Sequence, residues 1–124
     1  MTYLWVGAGG FLGAVARYAL GAWVTRRLGL GFPYGTLAIN LSGCFLLGLM
    51  LAVLDARMTL PSELRLLGPV GFVGAYTTFS TFEYETLRTV QGGESGLALL
   101  YVVLSVVVGY GAAWAGQATG RLVS

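Results

Sequence analysis

The sequence predicts an all-α membrane protein with four transmembrane helices per chain, the third broken near its middle. Three observations carry that prediction. The chain is 56% hydrophobic and only 10% charged, against about 25% charged residues in a soluble domain. Its 124 residues cannot hide so much apolar surface from water in one small domain. Finally, the apolar sequence falls into four runs, each near the roughly 20 residues a membrane-crossing helix needs, and hydroxyl residues interrupt the third.

The expected spans cover residues 2–25, 33–54, 63–89 and 95–118 of one domain over residues 1–124. In the first, Ala14, Val15 and Ala16 resemble a signal-peptide cleavage site. No basic residue precedes the apolar run, however, and the apolar pattern resumes beyond Arg17, so the helix is expected to be retained. Gly9 and Gly13 stand four apart, as do Gly10 and Ala14. Such small faces let helix backbones approach closely. Arg17 continues the Gly9–Gly13 face. A charge at that depth faces protein or water rather than lipid. It can pair structurally, snorkel to the interface, or raise the local anion concentration.

The second span opens at Pro33, a residue suited to a helix start. Asn40 lies near its middle, with Thr36 one turn earlier on the same face. An Asn amide in lipid must find a partner, so Asn40 faces other helices, either as a packing hydrogen bond or as a donor to a ligand. Cys44, the only cysteine, reads as a small buried hydrophobe.

The third span carries Thr77, Thr78, Ser80 and Thr81 within five positions, with Phe79 and Phe82 threaded among them. Gly71 and Gly74 lead into this run. Glycine is poor in helix interiors, and Thr can bond its own backbone. A broken helix is tolerated at membrane depth where protein or a cavity satisfies the freed groups, and freed carbonyls can bind a small cation. Phe79 and Phe82 share one helical face. Aromatic ring edges are positive, so two edges turned inward favour an anion; alternatively both rings simply pack. Glu83 and Glu85 follow toward the span end. The fourth span places Tyr101 and Ser105 four apart, while Ser105 with Gly109 and Gly116 with Gly120 repeat the small-residue spacing.

Charge sets the orientation problem. The seven basic residues are all Arg, and there is no His. With four spans, Arg57, Arg65 and Arg121 lie on one side, and Arg26, Arg27 and Arg88 on the other. That balance gives the positive-inside rule nothing to choose by. Either a marginal charge tips the chain into one orientation, or it inserts both ways and assembles as an antiparallel pair. Arg26–Arg27 is the longest basic cluster, which argues against a nucleic-acid surface. No His or Cys cluster suggests a metal site, and no nucleophile–base pair lies in the apolar region, so an enzyme is not expected.

The segments GAGGFLGAVARY, GTLAINLSG and GFVGAYTTFSTFEYE, in this order over nearly the whole chain, resemble the Fluc/CrcB fluoride channels. The resemblance implies a fluoride-selective passive channel that exports cytoplasmic fluoride across the cell inner membrane and so lowers its toxicity. It implies an antiparallel dual-topology homodimer with two pores of opposite direction. It also implies a structural sodium ion at the dimer centre, held by the carbonyls of Gly74 and Thr77 from both subunits. The pore residues it implies are Asn40, Phe79, Phe82, Ser80 or Thr81, Tyr101, Ser105 and Thr36. Arg17 and Glu85 are placed near the pore entrance or in support. Some members carry a serine where this chain has Gly109, which shortens the expected hydroxyl track. Two other readings compete. A small dual-topology multidrug exporter would share four helices but needs a first-helix Glu, and this first span has Arg17 and no carboxylate. A non-conducting subunit of a heterodimeric channel would pair with a different chain.

Overall fold

Gly29 and Gly93 are the two residues with positive φ, at 84° and 83°. They mark the two turns at one end of the molecule, where only glycine reverses the chain without strain. The computed structural model describes residues Met1–Ser124. Helix α1 is Thr2–Leu28. Pro33 then precedes α2, Tyr34–Ala56. Helix α3, residues 63–76, starts at Glu63–Arg65, is π-wound through Leu66–Val73 and ends with the turn Gly74–Tyr76. Pro69 lies inside the π-wound part. Its missing N–H removes one ladder bond, and the wider turn absorbs the ring. Helix α4 is Phe79–Gln91. Helix α5 runs Ser95–Val123 as one rod, with a second π-wound stretch at Leu104–Val108.

There are no strands. Helices α2 and α5, with mean hydropathies of 2.3 and 2.1, are each long and apolar enough to cross a membrane. Helix α1 is long enough but carries Arg17, Arg26 and Arg27. Helices α3 and α4, at about 20 Å each, must act in series to cross a hydrocarbon core of about 30 Å. Only 18 of 124 residues are buried, and Phe11, Leu12, Val70 and Val107 are exposed along the helices. Such an apolar exterior is stable in lipid and not in water.

The chain uses its glycines to bring helices together. A Cβ on Gly9 would collide with the Leu67 carbonyl, and one on Gly13 with the Phe72 carbonyl, so α1 lies against α3 backbone to backbone. Gly48 and Gly116 do the same for α2 and α5, against the carbonyls of Ala113 and Phe45. These small faces therefore serve packing within one chain. At the far end, Arg65 pairs with Asp55 at 2.5 Å and Arg57 donates to the Val123 carbonyl, tying the α2–α3 link to both neighbouring helices.

The helix ends depart from the expected spans where polar residues extend a helix past the apolar run: α1 reaches Leu28 and α5 reaches Val123. The break falls at Thr77 and Thr78, at the start of the hydroxyl run. Gly71 serves close approach instead, since a Cβ there would meet the Val6 carbonyl at 2.7 Å.

Candidate functional site

A helix that stops inside a membrane leaves its last carbonyls and the next helix's first N–H groups without partners. At this break Thr77 (φ −82°, ψ 158°) and Thr78 (φ −149°, ψ 114°) are extended. Thr78 caps α4: its Oγ1 accepts from the Thr81 N–H at 3.2 Å and donates to Thr81 Oγ1 at 3.0 Å. Asn40 reaches across from α2 and takes the Thr78 peptide groups with both ends of its amide. Thr78 N–H donates to Asn40 Oδ1 at 2.8 Å, and Asn40 Nδ2 donates to the Thr78 carbonyl at 3.0 Å. Those two partners fix which way the amide points, and they leave one Nδ2 hydrogen free. On the α3 side, Arg17 Nε donates to the Ala75 carbonyl at 3.1 Å. A cation at a helix C-terminus also opposes the negative end of the helix dipole. None of the hydrogen bonds linking one element to another reaches the carbonyls of Gly74 or Thr77.

Two clefts flank the break. One, of about 320 Å³, is lined by Asn40, Cys44, Thr77, Phe79, Phe82 and Ser105. The other, of about 530 Å³, is lined by Arg17, Arg26, Thr36, Thr78, Thr81 and Glu85. Thr78 belongs to both. The structure thus divides the expected site residues into an apolar cleft with isolated donors and a polar cleft with charges.

The aromatic pair is asymmetric. The Phe79 and Phe82 rings lie 6.0 Å apart and tilted, yet Phe79 is 74% exposed and Phe82 only 7%. Phe82 meets Tyr101 edge to face at 5.0 Å, and Tyr101 meets Phe32 likewise at 5.4 Å. Tyr101 is 1% exposed, and its hydroxyl donates to Glu85 Oε1 at 3.1 Å. Glu85 also borders a third cleft, of about 420 Å³, formed by the Gly29–Pro33 and Gly92–Glu94 turns with Arg88.

Ser105 differs from four threonines on these helices. Thr77, Thr86, Thr89 and Thr119 each donate to the carbonyl four residues back. Ser105 Oγ is buried and has no partner in the chain. It sits in the π-wound stretch of α5 and borders the Asn40 cleft. Ser80 and Gly74, in contrast, are exposed and line neither cleft; they lie on the outer face of the break.

Sequence reasoning missed three things here. Cys44 lines the same cleft as Asn40, one turn further along α2, a spacing that was visible in the sequence. Arg26 joins Arg17 on the polar cleft, nine residues further along α1, a role that its place in the Arg count does not suggest. The third is a bond from the Tyr76 hydroxyl to Ser42 Oγ at 2.8 Å, which no short-range pattern announces.

Comparison with known proteins adds the following. Residues 4–117 match the family model described as CrcB-like protein, Camphor Resistance (CrcB). The chain is 58% identical over 123 residues to the fluoride-specific ion channel FluC of Acidobacterium capsulatum, covering 99% of this chain and 98% of that one. It is 45% identical over 121 residues to the protein of the same name from Solibacter usitatus, covering 98% and 99%. It is 46% identical over 123 residues to that of Magnetococcus marinus, covering 99% and 100%.

Proposed function

The chain belongs to the CrcB family, and from that premise we infer that it is a fluoride-specific ion channel in a membrane. One observation on this chain carries the reading furthest. Ser105 presents a buried hydroxyl with no partner to the cleft where Asn40 keeps a free N–H. Fluoride is small and strongly hydrated, so a pore must replace lost water with donors. Binding must also stay weak enough for the ion to leave. Neutral donors with ring edges from Phe79 and Phe82 meet both demands. The N-terminus of α4, opening at mid-membrane, adds a positive dipole end. The neighbouring polar cleft sets Arg17 and Arg26 against the carboxylate of Glu85, and its net positive charge concentrates anions at the approach. Tyr101 holds Glu85 by a hydrogen bond and so fixes where that carboxylate stands. Where other chains extend the hydroxyl track, Gly109 packs near Cys44, 3.6 Å from where a Cβ would be. The track in this chain therefore ends at Ser105.

The assembly we propose is an antiparallel homodimer with two pores, in the cell inner membrane. What supports it is the outer face of the break. Gly74 and Ser80 are exposed beside the break, and lipid cannot satisfy free peptide groups within a bilayer. A second copy can. The carbonyls of Gly74 and Thr77 are hard oxygen donors without partners from other elements, and four of them from two copies suit a sodium ion, which would supply a fixed positive charge that holds the two breaks together. Flow is passive. With a negative interior the potential drives fluoride outward by about 2.3 kcal/mol per charge per 100 mV, and export lowers fluoride toxicity.

The test is fluoride efflux from liposomes holding the purified protein, with potassium inside, valinomycin as the countercharge carrier and a fluoride electrode outside. Fast fluoride release without chloride release from a matched preparation is the expected result. Absence of fluoride release from folded protein would overturn the reading.

A further inference from the structure

The break has two ends, and α2 holds both. Asn40 grips the α4 side through the Thr78 peptide. Two residues on, Ser42 meets Tyr76, the last helical residue on the α3 side, at 2.8 Å. The direction of that bond is fixed by chemistry. Ser42 already gives its hydroxyl hydrogen to the Ile39 carbonyl at 3.0 Å, so Tyr76 is the donor and Ser42 Oγ the acceptor. Tyr76 is 5% exposed and stacked on Phe72 at 5.6 Å with rings 17° apart. Gly43, next to Ser42 in the chain, has no room for a Cβ because the Thr77 methyl and the Tyr76 ring occupy that volume. For a tyrosine hydroxyl buried away from water, losing its partner is costly.

We propose that Tyr76 and Ser42 are positioning residues for ion passage: their hydrogen bond sets the angle at which α3 enters the break, and with it the placement of Thr77 and Phe79 at the cleft. Neither side chain lines the Asn40 cleft, so the pair acts through the backbone it holds and not by touching the ion. The two contacts from α2 divide the work. Asn40 fixes the two peptide groups flanking Thr78, and α1 holds the body of α3 through Gly9, Gly13 and the Arg17–Ala75 bond; the Ser42–Tyr76 bond adds the tie between α2 and the last turn of α3. The inference rests on the channel reading above.

Tyr76→Phe keeps the stacked ring and deletes only the donor, and Ser42→Ala deletes only the acceptor. Each is expected to slow fluoride efflux from liposomes about fivefold, the scale of one net hydrogen bond. The double variant is expected to match the singles rather than multiply them to about 25-fold, because both remove the same bond. Ser42→Thr, which keeps the acceptor, is expected to restore the wild-type rate. Wild-type efflux from Tyr76→Phe at equal recovered protein would overturn the inference, as would multiplicative losses in the double variant. So would a loss of flux that only tracks loss of folded protein on gel filtration. Where Tyr76→Phe does not survive purification, Ser42→Ala against Ser42→Thr decides by the same criterion. Failure of the wild type itself to release fluoride would sink the channel reading, whereas fluoride release by wild type and both single variants alike would sink only this inference.

Discussion

At the scale of single residues, two side chains on one cleft are expected to behave oppositely. Ser105 Oγ bonds nothing in the chain, so Ser105→Ala removes a buried hydroxyl that folding does not use. Efflux is expected to fall about tenfold while thermal stability stays level or rises slightly, since deleting an unsatisfied buried polar group removes a desolvation cost. Unchanged efflux would take Ser105 off the path. Asn40 is different because it holds the break as well as facing the cleft. Asn40→Asp keeps an acceptor for the Thr78 N–H but turns a carboxylate oxygen toward the Thr78 carbonyl. Both efflux and stability are expected to drop, stability by about 1–3 kcal/mol, read by efflux and by thermal melting followed on gel filtration. A variant that melts like wild type and still conducts would remove Asn40 from both roles. These two residues were legible in sequence as polar groups in apolar runs, but their division of labour was not. Whether a hydroxyl bonds its own helix or stays free depends on local winding, and nothing in the spacing of Ser105 distinguishes it from Thr119.

At the scale of elements, the break was legible and its exact place was not. A run of four hydroxyls among five positions announces a helix that needs side-chain help. Weak helix formers run from Gly71 through Gly74 to Thr77, so propensity alone does not say which of these positions gives way. Packing decides: Gly71 lies where α1 and α3 touch backbone to backbone, and the π-wound turn around Pro69 kept the helix going. The same contrast predicts how glycine substitutions divide. A Cβ at Gly116 would overlap the Phe45 carbonyl, whereas Gly111, one turn and a half away on the same helix, has nothing within 4 Å. Gly116→Ala is expected to force α2 and α5 apart and cost about 1–3 kcal/mol. Gly111→Ala is expected to be neutral or to gain up to about 1 kcal/mol from helix propensity. Detergent-solubilised melting of the two variants beside wild type checks this, and equal behaviour would show that the α2–α5 seam is not the tight contact described.

At the scale of the whole molecule, one chain has a need that its own residues do not meet. A helix interrupted within a bilayer requires cover for its outer peptide face, and Gly74 and Ser80 stand exposed beside the break. The Arg count is also balanced, with Arg57, Arg65 and Arg121 at one end against Arg26, Arg27 and Arg88 at the other, so the positive-inside rule does not choose between one orientation and both. The antiparallel pair proposed above would answer both, with copies inserted in both senses meeting break to break. Neither fact alone would do: charge balance without an uncovered face predicts mixed monomers, and an uncovered face with biased charge predicts a parallel pair. The expectation is measurable. In a Cys44→Ala background, Thr59→Cys places one thiol on the exposed α2–α3 link. A membrane-impermeant thiol reagent applied to intact cells stripped of their outer layer is expected to label about half of the chains, with the rest labelled only after lysis. Removing one charge by Arg57→Gln is expected to push that fraction well away from half and to lower fluoride efflux per chain, because copies of the scarcer orientation limit the number of pairs. Labelling that is all or none in the Thr59→Cys protein would mean a single orientation, and the cover for the break would then have to come from a parallel copy or another chain.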